Sequence, residues 1–311
     1  MTLMQTKAHR VVWPIMAAAL VTSWSSGFVG IRYASENADV MLVLFWRTLV
    51  SGLILVPFAL LIGPRINARA LIQQMVLGVA TMFLYLGGFA LAIGQRVPTG
   101  LVALISDLVP LAVAAFSQPV LGHRLSGRQW IGTALGVMGV LIVSLDSLTL
   151  GRAPAWAYVL TVASMMVFAL ATVVQKRMHT TNMPIHQSLC IQCLTATILF
   201  AACAGWNGVL MPPHDGRFEF GIAWLVLFST FFCYGLYYMS LRLYTATQVS
   251  SLIYLSPPVT MLWAWLIFGE PLSTAMFLGF TVTLFGVWLT SSRSTASKEE
   301  AGLGCVEQPT G

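Results

Sequence analysis

Residues 99–140 read TGLVALISDLVPLAVAAFSQPVLGHRLSGRQWIGTALGVMGV, and the second half of the chain repeats this pattern at an offset of 147 residues. Pro110 matches Pro257 at that offset, and glycines of one copy fall on glycines of the other. The shared pattern is P-x11-G-x2-L-S-x5-G-x6-G-V. Apolar residues match by chance in an apolar chain, but proline and glycine in one register do not. The sequence therefore predicts a duplicated unit, which constrains every later interpretation.

The composition indicates that the chain lies in a lipid bilayer. Of the 311 residues, 58% are apolar and 8% are charged, against about 25% charged residues in soluble domains. A helix needs roughly 20 apolar residues to cross ~30 Å of hydrocarbon. Ten such stretches occur, with approximate limits 11–31, 40–62, 70–94, 98–121, 129–147, 154–175, 184–206, 220–241, 245–268 and 273–291. We predict an all-α integral membrane protein with ten transmembrane helices.

The basic residues predict which side of the membrane each loop faces. With the amino terminus in the cytoplasm, eleven of the 16 Lys and Arg residues lie on the cytoplasmic side and four lie outside. Short loops follow the positive-inside rule, so we expect both termini in the cytoplasm. The two copies are separated by five crossings, an odd number, and therefore enter the membrane in opposite senses. Inverted repeats are typical of secondary transporters, whose substrate site lies near the midplane between the halves.

The predicted organisation has four parts. These are a cytoplasmic segment at 1–10, a first five-helix repeat at 11–147, an inverted five-helix repeat at 154–291 and a disordered cytoplasmic tail at 292–311. The tail is polar and contains Gly and Ser, which disfavours a packed core. The first part of each repeat aligns more weakly: Arg47 matches Gln192 at an offset of 145, with two residues gained in a loop.

Two ionisable side chains lie deep inside predicted spans. Arg47 is about seven residues into the second span and Asp107 about nine into the fourth, so both lie ~10–14 Å deep. Charged residues within spans are expensive and mark functional sites by default. One interpretation is a charge pair that lines a cavity, in which Asp107 binds a proton or a substrate amine and Arg47 binds a carboxylate. The alternative is a structural ion pair between packed helices.

Prolines interrupt the fourth and ninth spans at equivalent positions. Pro110 and the Pro257-Pro258 pair each remove backbone donors, and we interpret them as helix kinks. The freed carbonyls need partners or a wet cavity, so two bent helices from opposite halves would form a central wall. Ser250 and Tyr254 share a helix face with Pro257 and are predicted to line that wall. A kink that serves packing alone is the alternative.

Three further side chains are candidates for the same pathway. Trp24 and Tyr85 lie at mid-span and carry polar atoms that need partners. Large aromatic residues inside helix bundles also serve packing alone, and this interpretation stays open for both. Gln192 is a candidate because it is the pseudo-symmetric mate of Arg47.

Other features are interpreted as structural. Glycines of the fifth and tenth spans form smooth faces for close helix packing, namely Gly132, Gly136 and Gly139 in one span and Gly279 and Gly286 in the other. Glu270 and His123 follow the matched glycines at helix ends and are assigned to solvated boundaries.

The sequence lacks the motifs of the common enzyme classes. It contains no G-x-S-x-G elbow, P-loop, H-E-x-x-H motif or carboxylate cluster. We predict that the protein is not an enzyme and uses no cofactor and no metal. Without an ATP-binding domain, pumping must use a gradient, with protons as the candidate coupling ion. The expected partners are a small-molecule substrate and membrane lipids, with no nucleic acid, in a monomer or a homodimer.

Motifs spread over residues 14–290 resemble those of one known family. They are Trp24-Ser25-Ser26-Gly27-Phe28, Trp46-Arg47, and the segments from Pro110 to Leu125 and from Pro257 to Leu272. This set is similar to the EamA-type permeases of the drug/metabolite transporter superfamily. The family's repeated segment ends in Gly-Glu, which the second copy keeps at Glu270 and the first replaces with His123. The resemblance implies a bacterial inner-membrane carrier, often an exporter, driven by proton exchange or a substrate gradient.

We therefore predict a secondary transporter that exports a small metabolite, amino acid or drug by alternating access. Three alternatives stay open. One is a passive channel or scaffold without coupling, and another is an exchanger of sugar phosphates or nucleotide sugars. The buried basic charge is sparse, with Arg47 alone, which disfavours a polyanionic substrate. The third is a membrane-embedded enzyme, which would need a cluster of catalytic residues near one face.

Overall fold

The computed structural model of the chain is helical, and no strand occurs among the residues that it describes. These are residues 3–109, 111–113, 115–116, 127–149, 153–177, 183–206, 210–214, 216–243 and 255–291. Six of the described helices are long and apolar enough to cross a membrane, and four shorter apolar helices accompany them. The chain is therefore a multi-pass membrane protein. Ten crossings and cytoplasmic termini stay predictions.

The main helices described in the first half are α1 Leu3–Ala34, α2 Val40–Leu61, α3 Ala68–Gly78, α4 Gly87–Gly94, α5 Thr99–Ser106 and α6 Gly127–Thr149. Between α3 and α4 the chain continues as a π-helix over Val79–Leu86, which we call the first π segment. Polar side chains cap two of the helix starts. Asp39 accepts from the Met41 amide at 2.8 Å, and Asn67 accepts from the Ala70 amide at 2.7 Å.

The second half repeats this order. Its described helices are α7 Ala155–Arg177, α8 Ile185–Trp206, α9 Gly216–Trp224, α10 Cys233–Leu243, α11 Ser256–Phe268 and α12 Thr274–Ser291. A second π segment, Leu225–Phe232, joins α9 to α10. Each half therefore carries a π segment of eight residues inside the same span.

The duplication extends to element boundaries. The start of α8 lies 145 residues after that of α2, the second π segment 146 after the first, and α12 147 after α6. The offset between these elements therefore grows from 145 to 147 along the repeat, by the two residues that the sequence comparison indicated. This arrangement fits a two-repeat architecture.

Equivalent helices of the two halves pack against each other. In the α6–α12 pair, a Cβ on Gly286 would lie 2.5 Å from Gly132 O, and one on Gly279 would lie 2.5 Å from Gly139 O. The interpretation of these glycines as a close-packing face is confirmed. In the α2–α8 pair, the Thr197 hydroxyl donates to the Thr48 hydroxyl at 3.0 Å inside the bundle.

The core surrounds α5, whose eight residues are all buried. Side chains such as Leu44, Phe89 and Phe200 belong to the same apolar cluster as α5. The outer surface is also apolar, as expected for a lipid-facing bundle, with Leu60 77% exposed and Leu266 65% exposed. Because α5 is central, the residue that follows it is placed deep inside the protein.

Candidate functional site

The fourth predicted span is interrupted at its acidic residue. Helix α5 ends at Ser106, Asp107 and Leu108 form a turn, and the helix resumes at Val109. The Leu108 amide donates to the carbonyl three residues before it at 3.1 Å, which is tighter than an α-helical turn. Pro110 has no N–H to reach the Ser106 carbonyl. The interruption therefore leaves backbone polar groups near the acid.

The ninth predicted span has a helix start at the equivalent position. Helix α11 begins at Ser256, which lies 147 residues after Val109, and Leu255 before it forms a turn. Pro257 and Pro258 lie in the first turn of α11, where a missing N–H leaves no helical bond unmade. The two prolines therefore lie at the start of α11 and do not bend the interior of that helix.

Helix α1 holds the start of α11. The Ser25 hydroxyl lies 3.2 Å from the Ser256 carbonyl and 3.3 Å from the Ser256 hydroxyl, within hydrogen-bonding distance of both. Both serines are buried. The Trp-Ser-Ser-Gly motif of α1 thus contacts the interrupted span of the opposite repeat.

Asp107 is buried, with 6% exposure, at the carboxyl end of α5. This end of a helix carries partial negative charge, which attracts a proton or another cation. Tyr85, in the first π segment, forms a 3.1 Å hydrogen bond with the hydroxyl of Ser106, the residue before the acid. The Tyr85 ring packs on Phe89 and Phe168 at centroid distances of 4.6 and 4.3 Å. Tyr85 is therefore both packed and hydrogen-bonded beside Asp107.

Arg47 joins the two repeats. It is half-buried on α2, and its Nη2 donates to the Ser229 hydroxyl at 3.1 Å. Ser229 lies in the second π segment, and π-helical turns are frequent at functional sites. The same guanidinium interacts electrostatically with the thiols of Cys193 and Cys233. Gly27 lets α1 approach this point, since a Cβ there would lie 2.6 Å from Ser229 Oγ.

Gln192, the counterpart of Arg47 on α8, contacts the other π segment. Its Oε1 accepts from the Thr81 hydroxyl at 3.4 Å, and its Nε2 donates to Gln74 Oε1 at 2.8 Å. Thr81 lies in the first π segment, and Gln74 is buried on α3. The same position of α2 and α8 therefore reaches the π segment of the opposite repeat.

Trp24 packs next to the second π segment, the segment that Arg47 contacts. Its ring packs against that of Tyr237 on α10, with centroids 6.1 Å apart. Both aromatic residues pack against buried Leu20 and Cys233, and Cys233 directly follows the second π segment. Trp24 and Tyr237 thus pack against the same cysteine, Cys233, whose thiol interacts electrostatically with Arg47.

The predicted site residues fall into two groups. Tyr85 lies beside Asp107, whereas Arg47 contacts the second π segment near Trp24. A direct pair of Arg47 with Asp107 stays a prediction. Three residues of the prediction lie outside the described part of the chain, namely Pro110, Ser250 and Tyr254.

Sequence reasoning missed the π segments and Ser229. The two segments read VATMFLYL and LVLFSTFF, and such apolar runs carry no signal for a π turn. The polar pair Ser229-Thr230 within an otherwise apolar span was the one signal that could have identified the Arg47 partner.

Glu270 does more than occupy a solvated boundary. Its carboxylate accepts from the Thr99 amide at 3.0 Å and from the Thr99 hydroxyl at 2.9 Å. It therefore caps the amino end of α5, where negative charge interacts favourably with the helix dipole. At the α1–α2 connection, Glu36 forms ion pairs with Arg96 at 2.9 Å and Arg32 at 3.4 Å. Both sets of contacts join different helix ends.

Comparison with known proteins gives the family. The model of the EamA-like transporter family matches residues 11–145 and 155–292. The chain belongs to the EamA-like transporter family. The resemblance noticed in its motifs is confirmed, and the two matches fit a two-repeat architecture. This EamA-like protein is accordingly a membrane transporter, and its family and relatives are transporters rather than enzymes.

Relatives of this EamA-like transporter match over nearly their whole length. The uncharacterized inner membrane transporter YedA of Escherichia coli is 25% identical over 90% of this chain and 91% of that protein. A probable amino-acid metabolite efflux pump of Escherichia coli is 25% identical over 88% and 93%. A probable terminal-alkyne amino-acid exporter of Streptantibioticus cattleyicolor is 26% identical over 95% and 98%.

A solved crystal structure shares the fold of this EamA-like transporter. It superimposes with a TM-score of 0.63 at 16% identity, covering 90% of this chain and 98% of that chain. The likeness concerns the arrangement of helices alone.

Proposed function

We propose that this transporter is a secondary-active exporter of a small metabolite, amino acid or drug in the bacterial inner membrane. The observation that carries the proposal is a turn followed by helix at equivalent positions of the two halves, with helix at Val109 after the turn at Leu108 and at Ser256 after the turn at Leu255. Interrupted helices at equivalent positions of inverted repeats form the substrate and ion sites of secondary transporters. The names of two relatives, an efflux pump and an exporter, support the outward direction.

The proposed mechanism is alternating access around a midplane site. Asp107 binds the coupling proton or a substrate amine, since it is buried at the negative end of α5. Trp24, Tyr85, Arg47 and Gln192 line the pathway. The two halves rock against each other along the α2–α8 and α6–α12 contacts.

The first experiment is a thermal-stability screen of the purified full chain against amino acids, sugars, nucleosides and cationic drugs across pH. A ligand that binds only the folded state raises the unfolding temperature. A compound that stabilises the protein is then tested for counterflow of labelled substrate in proteoliposomes. We expect counterflow, because a carrier exchanges substrate across the membrane one molecule at a time.

Two outcomes would contradict the proposal. Flux of the bound compound without counterflow would indicate a passive channel. Binding without flux in either direction would indicate a scaffold or a receptor.

A further inference from the structure

The structure contains two equivalent hydrogen-bond contacts between the repeats. Arg47 of α2 donates to Ser229 in the second π segment at 3.1 Å. Its counterpart Gln192 of α8 accepts from Thr81 in the first π segment at 3.4 Å. Each contact joins a helix of one repeat to the π segment of the other.

The chemistry of the two contacts differs. Gln192 is neutral, and its amide also donates to Gln74 at 2.8 Å. Arg47 is permanently charged and carries five N–H donors in a planar fork that matches a carboxylate. At this pair of equivalent positions, the first repeat therefore has a cation and the second repeat has a neutral amide.

The described contacts of Arg47 include neutral side chains, and aromatic rings pack nearby on one of them. The hydroxyl of Ser229 accepts a hydrogen bond from the guanidinium, which also interacts electrostatically with the thiols of Cys193 and Cys233. The rings of Trp24 and Tyr237 pack against Cys233, with their centroids 6.1 Å apart and their planes tilted by 50°. Such a site suits a molecule that has one anionic end and an apolar body.

We propose that Arg47 and Ser229 form a subsite for the carboxylate of a small monocarboxylate with an apolar or aromatic body. An arriving carboxylate accepts two N–H bonds from the guanidinium and takes the place of the Ser229 hydroxyl. That hydroxyl then turns and donates its own proton to the carboxylate. The apolar body lies toward Trp24 and Tyr237. The inference rests on the proposed function, since it names the substrate class of the same pathway.

Binding also changes the contact between the repeats. In the unliganded arrangement Arg47 is bonded to the second π segment, whereas in the liganded one the carboxylate bridges the two. The substrate therefore replaces a direct bond between the halves by a mediated one.

The test measures equilibrium binding to the purified full chain. The probes are phenylacetate, isovalerate, phenethylamine and phenyl phosphate, which vary the charged end and the body separately. We expect the two carboxylates to bind, with phenylacetate the tighter because its ring can pack on aromatic side chains. Phenethylamine and phenyl phosphate should bind more weakly.

Variants locate the binding. Arg47→Gln, which copies the residue of the other repeat, should weaken carboxylate binding by about 10- to 100-fold. Arg47→Lys should weaken it less, since the charge stays but the fork is lost. Ser229→Ala should weaken it by a few-fold. Arg65→Gln is the matched control, because it removes the same charge from an exposed residue outside the helices.

Three results would overturn the subsite: no carboxylate binds, carboxylate affinity is unchanged in Arg47→Gln, or the amine or phosphate probe binds most tightly. If Arg47→Gln does not fold, the carboxylate affinities of Arg47→Lys and Ser229→Ala test the subsite instead. The proposed function fails separately. If carboxylate binding depends on Arg47 but no counterflow occurs, the subsite stands and the carrier is refuted. If counterflow occurs and is unchanged in the Arg47 variants, the subsite alone is refuted.

Discussion

At the scale of single residues, three polar side chains of the candidate site are found where the backbone is irregular. Asp107 lies in the turn after α5, and Ser229 and Thr81 lie in π segments. A regular helix uses its own backbone groups internally, whereas an interrupted one offers carbonyls and a dipole end to a ligand. Irregular backbone therefore accompanies a polar side chain in each of the two groups of site residues.

Asp107→Asn tests the proton role proposed for the acid. Asparagine keeps the size but cannot exchange a proton, so transport driven by a pH gradient should fall by about tenfold or more. Counterflow at equal pH on the two sides should persist. The measurement is uptake into proteoliposomes with and without the gradient. Glu219→Gln, an exposed acid on α9, is the control, and equal coupling in both variants would remove Asp107 from the mechanism.

Glu270→Ala tests the cap of α5. Loss of two hydrogen bonds to Thr99 should lower the stability by about 0.5–2 kcal/mol. The check is the unfolding temperature of the single variants and of the double variant with Thr99→Val. Because both residues belong to one contact, the effects should not add. Additive losses would show that Glu270 acts elsewhere.

At the scale of helices, close packing in the membrane depends on small residues. The α6–α12 pair brings backbone against backbone, with the space for a Cβ at Gly286 filled by Gly132 O and Gly136 N at 2.5 and 2.7 Å. Lipid provides no hydrophobic drive for helix association, so van der Waals contact at such faces holds the pair together.

Gly286→Ala should destabilise the protein, because the added methyl group must push α12 away from α6. We expect a loss of about 1–3 kcal/mol, measured as a lower unfolding temperature in detergent. Gly235→Ala is the matched control, since a Cβ at Gly235 meets nothing within 4 Å. There the helix interior gains about 0.5–1 kcal/mol from alanine. A Gly286→Ala variant as stable as the wild type would contradict the packing argument.

At the scale of the whole molecule, the same end of the bundle is held by several contacts. Glu270 bonds Thr99, Glu36 pairs with Arg96, and the Arg32 guanidinium lies 5.5 Å from the centre of the Phe268 ring. If access alternates as proposed, these contacts must open once in each cycle. The distance between α2 and α8 should change less than the distances across these contacts, because the halves are proposed to rock along the α2–α8 contact.

A crosslink tests this division. Thr99→Cys combined with Glu270→Cys, in a background without the native cysteines, should stop transport when the two thiols are joined through disulfides by a short bis-methanethiosulfonate reagent. Reduction should restore it. Joining Thr48→Cys to Thr197→Cys at the α2–α8 contact should leave most of the transport. Full transport with the first pair crosslinked would show that this end does not open.

Much of the architecture could be predicted because it depends on short stretches of sequence. Apolar runs indicated the helices, and the match of Pro110 with Pro257 indicated irregular backbone at two places, where the described residues show turns before Val109 and Ser256. The site was predicted less completely. Which side chain meets Arg47 depends on how α2 crosses the second π segment, about 180 residues later in the chain, and no local pattern contains that crossing.

The sequence by itself determined that this is a helical membrane protein, that its halves are duplicated, and to which family it belongs. These properties follow from composition and from the order of residues, and a bilayer accepts few other solutions for such a chain. The tertiary structure alone decided that Arg47 bonds Ser229, that Gln192 meets Thr81, and that Glu270 caps α5. These contacts join residues that are far apart in the chain, and they arise only when the packing of two repeats sets the distance between their helices.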